Sequence, residues 1–307
     1  MMNKLLFIFT LLSIMQVRYI CGVKDSPPPS SKDLAYVDDT SEVPYGHQFL
    51  NKEKLERYAG VQRYGYYETK DLDFLSNRGY ILIVLERYDE AIELFKEIDS
   101  IQPGRYSTYS NMGTAFEMAG NTTEALQWIE KALKADPKGH LSSEWIHINI
   151  LKARIKGDHN ISSMQLIGQD FGNEESPKSH LTPNELKTLR KQLYDQLNER
   201  MSLVKPKDKI VARLLFDLGN VTFLEGKKKD AMEEYQLAKE YGFDDLILNK
   251  RLHLYPSDLS RVDGKEAIHA ADTKEFRWMV ISLSLAALLM SGLIIFIFRK
   301  KVALLLK

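Results

Sequence analysis

Apolar residues recur along most of the chain at spacings of three and four, separated by polar ones, which predicts amphipathic helices. The helices come in pairs. Leu75, Gly79 and Leu82 line one, and Ala91, Phe95 and Ile98 line the next, with Glu86-Arg87-Tyr88-Asp89 at the turn. Tyr109, Met112, Gly113 and Phe116 line a third, and Ala125, Ile129 and Ala132 a fourth. The second pair repeats the first: Gly79, Ala91 and Pro103 become Gly113, Ala125 and Pro137. Small residues let antiparallel helices approach closely, and the prolines stop the second helix of each pair. Asn121 and Glu124 have the spacing of a capping box.

A third unit starts at Ala212, with Leu215, Leu218, Gly219, Gly226, Ala231, Tyr235 and Ala238 on the same template. Its offset from the second pair exceeds a whole number of periods, so the stretch between holds irregular helices and an insertion. Residues 144–155 read as one helix, with Trp145, Ile148 and Leu151 on a face. Residues 157–181 are rich in Gly, Asn, Ser and Pro, and within them Met164 to Phe171 is expected to lie extended. A helix then starts cleanly. Thr182 is its cap, Pro183 occupies the first turn and Glu185 completes a capping box, with Leu181 and Leu186 as a hydrophobic staple. Leu186, Leu189, Leu193, Leu197 and Met201 form its apolar stripe.

Both termini carry membrane signals. Lys4 precedes the apolar run Leu5 to Met15, which reads as a signal peptide over residues 1–22; a retained N-terminal anchor is the alternative. Residues 278–298 carry no charge and are long enough to cross a hydrocarbon core of roughly 30 Å. Trp278 marks one edge and Arg299-Lys300-Lys301 the other, which places the 299–307 tail in the cytoplasm. Residues 23–71 read as linker and N-terminal cap, with Tyr58, Tyr64, Tyr66 and Tyr67 packing on the first repeat. Residues 72–139 hold two repeats, 140–211 a degenerate helical region with a loop insertion, 212–245 a third repeat and 246–277 a polar connector.

Composition narrows the function. Forty-two basic residues balance 42 acidic ones, so no global field points to nucleic acid. Cys21 is the single cysteine, which excludes an intramolecular disulfide; Arg18-Tyr19-Ile20 before it makes a poor lipobox. None of the seven histidines falls in a metal pattern, and no nucleophile elbow or phosphate loop occurs. No cofactor, metal or enzymatic activity is expected. Asn121, Asn160 and Asn220 head glycosylation sequons, which matter only in a eukaryotic secretory route.

Tyr109, Met112, Gly113, Phe116, Gly120, Ala125, Ala132 and Pro137 resemble the tetratricopeptide repeat nearly throughout. The first unit keeps Gly79, Ala91, Phe95 and Pro103, with Arg78 where the pattern has Leu. The resemblance implies an all-α helix–turn–helix solenoid, here with an irregular middle insertion and one C-terminal transmembrane helix. It also implies a peptide groove lined by the first helices: Tyr80, Ile83 and Val84, then Ser110, Thr114 and Glu117, then Arg213, Phe216, Asn220 and Phe223. Phe216 stands where a carboxylate-clamp lysine would be. Tyr80, Phe216 and Phe223 suggest an apolar or extended peptide, unless some of these aromatics belong to the core. The expected function is a membrane-anchored adaptor that binds protein partners on the extracytoplasmic side. It contacts lipid through 278–298 and no nucleic acid. A tail-anchored adaptor facing the cytosol and a regulatory arm of an enzyme are the alternatives.

Overall fold

The chain divides into two units, residues 1–254 and 255–307. The computed structural model describes residues 36–37, 41–139, 142–157 and 161–253, all in the first. The expected signal peptide over residues 1–22, the expected span over 278–298 and the 299–307 tail lie outside the described residues. Among the described residues no helix is long and apolar enough to cross a membrane.

Three helical hairpins carry the repeating pattern. They are α2 (Leu72–Val84) with α3 (Tyr88–Ile101), α4 (Tyr106–Met118) with α5 (Thr122–Ala135), and α9 (Lys209–Leu224) with α10 (Lys228–Glu240). Each hairpin closes over a glycine. A Cβ at Gly79 would lie 2.4 Å from Phe95, at Gly113 2.4 Å from Ile129, and at Gly219 2.5 Å from Tyr235. The small residue and the large one that fills the gap stand at the same separation in all three pairs, which makes the third unit equivalent to the first two. At the turns Gly120 and Gly226 take positive φ, and Glu86 takes the corresponding place at φ 60°. That conformation costs a side-chain-bearing residue about 1 kcal/mol, which glycine avoids.

Helix α1 (Lys52–Thr69), capped by the Asn51 side chain, packs on α2 through Leu55, Ala59 and Gly65. Tyr58 and Tyr66 are half-buried against the repeats, as expected of a cap, but Tyr64 and Tyr67 are 50% and 53% exposed. The segment before α1 is not all linker. Strands β1 (Tyr36–Val37) and β2 (Gln48–Phe49) pair antiparallel, and residues 41–47 strap across a distant helix, α8 (Pro183–Leu203). There the Gly46 and His47 N–H groups donate to Asn198 Oδ1 (3.0 Å) and Ser202 Oγ (2.7 Å), and Tyr194 donates to the Ser41 carbonyl (3.1 Å). Glu42 pairs with Arg190 and Lys227.

The middle region holds α6 (Glu144–Lys156), α7 (Ser163–Ile167) and α8. Thr182 and Glu185 form the expected capping box on α8, with Pro183 in its first turn. Three expectations are corrected. Met164 to Phe171 is not extended: residues 163–167 form α7, capped by a reciprocal Ser162–Gln165 box, and Leu166, Ile167 and Phe171 are buried. Asn121 makes no side-chain cap on α5. The connector from 246 begins with a packed helix, α11 (Leu246–Leu252), in which Ile247, Leu248 and Arg251 are buried. Arg251 donates to the carbonyls of Glu175 (2.7 Å), Gly172 (3.1 Å) and Phe171 (3.2 Å), so it fastens the segment after α7 to the end of the repeats.

Asp217 on α9 is fully buried. It accepts from Ser163 Oγ at 2.6 Å, and its other oxygen has no hydrogen-bond partner among the described residues. Burial pushes its carboxyl up to about 7. The folded value lies above the ordinary 3.8, so ionisation opposes folding. The penalty is absent below about pH 4 and grows until about pH 7. Asp217→Asn is therefore expected to raise unfolding stability by about 1–2 kcal/mol at pH 8 and by little near pH 4. Denaturant titrations at the two pH values check this.

Candidate binding site on the inner face of the first two repeats

The first helices of the two N-terminal hairpins, α2 and α4, present short polar side chains on one face. Helical spacing brings Ser76, Asn77 and Tyr80 together on α2, and Ser107, Ser110, Asn111, Thr114 and Glu117 on α4. Helix α8 lies across this face. Gln196, Glu199, Arg200 and Leu203 from α8, His147 from α6 and Tyr36 from β1 complete the wall. Together they line a cavity of about 310 Å³ that is half-open to solvent.

Its floor is a buried charge cluster. Arg200 donates to both oxygens of Glu117, at 2.7 and 3.2 Å, and His147 Nε2 lies 2.7 Å from the same carboxylate. Arg154 Nε approaches Glu117 at 3.4 Å, and the Arg154 guanidinium pairs with Asp208 at 2.7 Å. A second buried carboxylate, Glu144, accepts from Tyr106 (2.6 Å) and Ser110 (2.8 Å) and stands 3.7 Å from His147 Nδ1. Burial alone would raise the Glu117 carboxyl, but the Arg200 charge and the His147 contact override it and hold it well below the usual range. Burial likewise opposes a charged His147, but its contacts with Glu117 and Glu144 raise it above the ordinary 6.5.

Because the folded value of His147 is raised, its contribution to stability is complete below about pH 6.5 and is lost as pH rises through the folded value. Glu117 behaves oppositely, contributing above about pH 4.5 and losing that contribution in acid. Replacing His147 by Gln is expected to flatten the decline in unfolding midpoint between pH 6.5 and 9. Thermal melts of both proteins across that range check the difference in slope.

The structure divides the residues assigned to a groove. Tyr80, Ser110, Thr114 and Glu117 line the cavity. Ile83 does not; it is 1% exposed in the core between α2 and α3. The members from the third unit do not join it either. Phe216 is 4% exposed and stacks on Phe243, with ring centroids 4.4 Å apart. Asn220 is fully buried and accepts from the Tyr235 hydroxyl at 2.9 Å, which also removes it as an accessible glycosylation site. Arg213 covers the Phe243 ring at 4.5 Å, and Phe223 packs against the same core. The reason is steric. Helices α7, α8, α10 and α11 share one core with α9, so α9 has no open inner face and the groove stops at the second repeat.

Sequence reasoning missed Tyr36, His147, Gln196, Glu199 and Arg200. One signal was present: Gln196 and Arg200 stand three residues after Leu193 and Leu197, as polar positions within the apolar face of α8.

The tetratricopeptide repeat family matches residues 72–105 and 106–138. No curated protein matches the chain. Among solved structures, the chain is similar to a thermophilic tetratricopeptide repeat protein of Thermus thermophilus, at 15% identity and a TM-score of 0.33. That alignment covers 66% of this chain and 92% of the other. A tetratricopeptide repeat protein of Parabacteroides merdae is similar at 11% identity and a TM-score of 0.31, over 66% of this chain and 93% of the other.

Proposed function

Because residues 72–138 match the tetratricopeptide repeat family, we propose that the chain is an adaptor that binds protein partners and holds them at a membrane. The observation that carries this reading is the matched pair of stacked hairpins, whose first helices present Tyr80, Ser110 and Thr114 on a common inner face. Solenoids of this kind act through surfaces built by neighbouring repeats. Partners engage the rim of that face, where α2 and α4 meet α8.

The uncharged run 278–298 anchors the protein, and Arg299-Lys300-Lys301 hold its tail in the cytoplasm. The run after Lys4 directs the repeats to the extracytoplasmic side. Protease accessibility of intact cells or spheroplasts, with mass spectrometry of the mature N-terminus, tests the sidedness. Loss of the first 22 residues and a cleavable repeat unit are expected; a retained Met1 with a protected repeat unit favours the cytosol-facing alternative.

Crosslinking the intact protein in its own membrane tests the adaptor reading. A defined partner is expected to be enriched over a Tyr80→Ala, Thr114→Arg variant. Equal recovery with both proteins removes the inner face from the binding surface.

A further inference from the structure

Among the described residues seven large apolar side chains are exposed, and three of them, Val61, Tyr64 and Tyr67, fall within seven residues of α1. Helix α1 caps the first repeat, and the outer face of a cap is ordinarily polar. Its inward side is already occupied, with Leu55, Ala59, Gln62 and Gly65 buried. Opposite them Glu53, Arg57, Gly60, Tyr64 and Tyr67 follow one another at steps of four and three, and all five are exposed. That spacing is the seam along which two helices pack. The space over Gly60 is open, since a Cβ there would meet nothing within 4 Å.

The contacts along this seam are exposed ones within α1 itself. Arg57 donates to Glu53 at 2.7 Å, Arg63 donates to the Tyr67 hydroxyl at 3.2 Å, and Lys70 Nζ lies 5.6 Å from the centre of the Tyr67 ring. Exposed pairs contribute little, so a docked helix can redirect them.

The order of residues along the seam selects the occupant. Two copies of α1 laid in the same direction would set Arg57 against Arg57 and Glu53 against Glu53. Turned end for end about a two-fold axis level with Gln62, the seam complements itself. Tyr64 of each copy then faces the space over the partner's Gly60, Tyr67 faces the partner's Arg57, and Lys70 comes beside the partner's Glu53. A guanidinium over an aromatic face is attractive, and the two-fold makes every such contact twice. We propose that α1 is a dimerisation helix, on whose Glu53–Arg57–Gly60–Tyr64–Tyr67 seam the α1 of a second copy of this chain docks antiparallel. This is independent of what the repeats bind. With 18 residues α1 is about 27 Å long, and one helix pair of that length lies at the small end of specific interfaces. The dimer is therefore expected to exchange with monomer at micromolar concentrations.

The test follows the mass of the full-length protein in detergent by analytical ultracentrifugation over a concentration series. A concentration-dependent dimer is expected. Gly60→Gln should weaken it at least tenfold, because the new side chain fills the space that Tyr64 enters. The same change should raise the thermal midpoint where the parent is monomeric, since Gln is a better helix former than Gly, so loss of the dimer is not loss of the fold. Glu53→Lys and Lys70→Glu should each weaken the dimer, and the double reversal should restore it. Within one copy these two residues stand about 25 Å apart along the helix, so rescue arises only between copies. Three outcomes would each overturn the proposal. One is a monomer at every concentration, including one whose Tyr64 is shielded by another segment or protein. Another is a dimer that Gly60→Gln leaves unchanged, as pairing through residues 278–298 would give. The third is a double reversal no tighter than the single ones.

Discussion

Glu117→Ala is expected to lower unfolding stability by about 3–5 kcal/mol, which chemical denaturation measures directly. Glu117 is the common carboxylate of Arg200, His147 and Arg154, and its side chain is 4% exposed. Removing it leaves positive groups from α6 and α8 facing one another without the charge that joined them. The loss therefore exceeds that of an ordinary surface pair, which is worth about 0–1 kcal/mol. A paired replacement separates the cost of an orphaned charge from the worth of the interaction. Glu117→Met combined with Arg200→Leu is expected to recover most of the loss, because buried ion pairs often exchange for apolar contacts at little cost. If the single variant loses under about 1 kcal/mol, no more than a surface pair, the cluster does not hold α8 to α4.

Arg251→Met is expected to cost about 3 kcal/mol and to expose residues 171–178 to proteases. The arginine is fully buried and makes all of its described hydrogen bonds to three backbone carbonyls of one segment. Met replaces its stem but none of its donors, so those carbonyls lose their charge-assisted bonds. Near them Phe171 and Pro177 are buried, whereas Glu174, Glu175 and Lys178 are exposed. Cleavage after Lys178 by trypsin, slow in the parent, should become fast in the variant. Equal cleavage rates would show that Phe171 and Pro177 hold the segment without the arginine.

The two predictions also mark where the sequence stops being readable. Each hairpin was legible because its determinants are local: Gly79 and Phe95, or Gly219 and Tyr235, lie within one helix–turn–helix and recur with a period. The start of α8 was legible for the same reason, since Thr182 and Glu185 are three residues apart. The cavity was only half legible. Tyr80, Ser110, Thr114 and Glu117 follow from which face of a first helix looks inward. Their counterparts come from far along the chain, Arg200 being 83 residues from Glu117 and Glu199 119 from Tyr80. Periodicity marks a buried face without saying what buries it. The assignment of Phe216 and Asn220 to a groove failed there, because the insertion that supplies α7 and α8 covers the side of α9 a uniform array would leave open. Helix α7 itself was hidden by the Gly and Asn around it, although Ser162 and Gln165 stood at capping-box spacing.

The strap of residues 41–47 across α8 changes how this unit unfolds. In an open array of repeats each unit touches only its neighbours, so stability is nearly additive and the ends fray first. Here the strap bonds to partners 152, 153 and 155 positions away. Its Glu42 also reaches Lys227, in the third hairpin. Loss of the strap is therefore expected to loosen α8, and loss of the third hairpin to remove the Lys227 contact that the strap makes with it. The strapped unit is expected to melt as one rather than from its ends. It is also expected to form more slowly than a chain of purely local contacts, because it pairs segments distant in sequence.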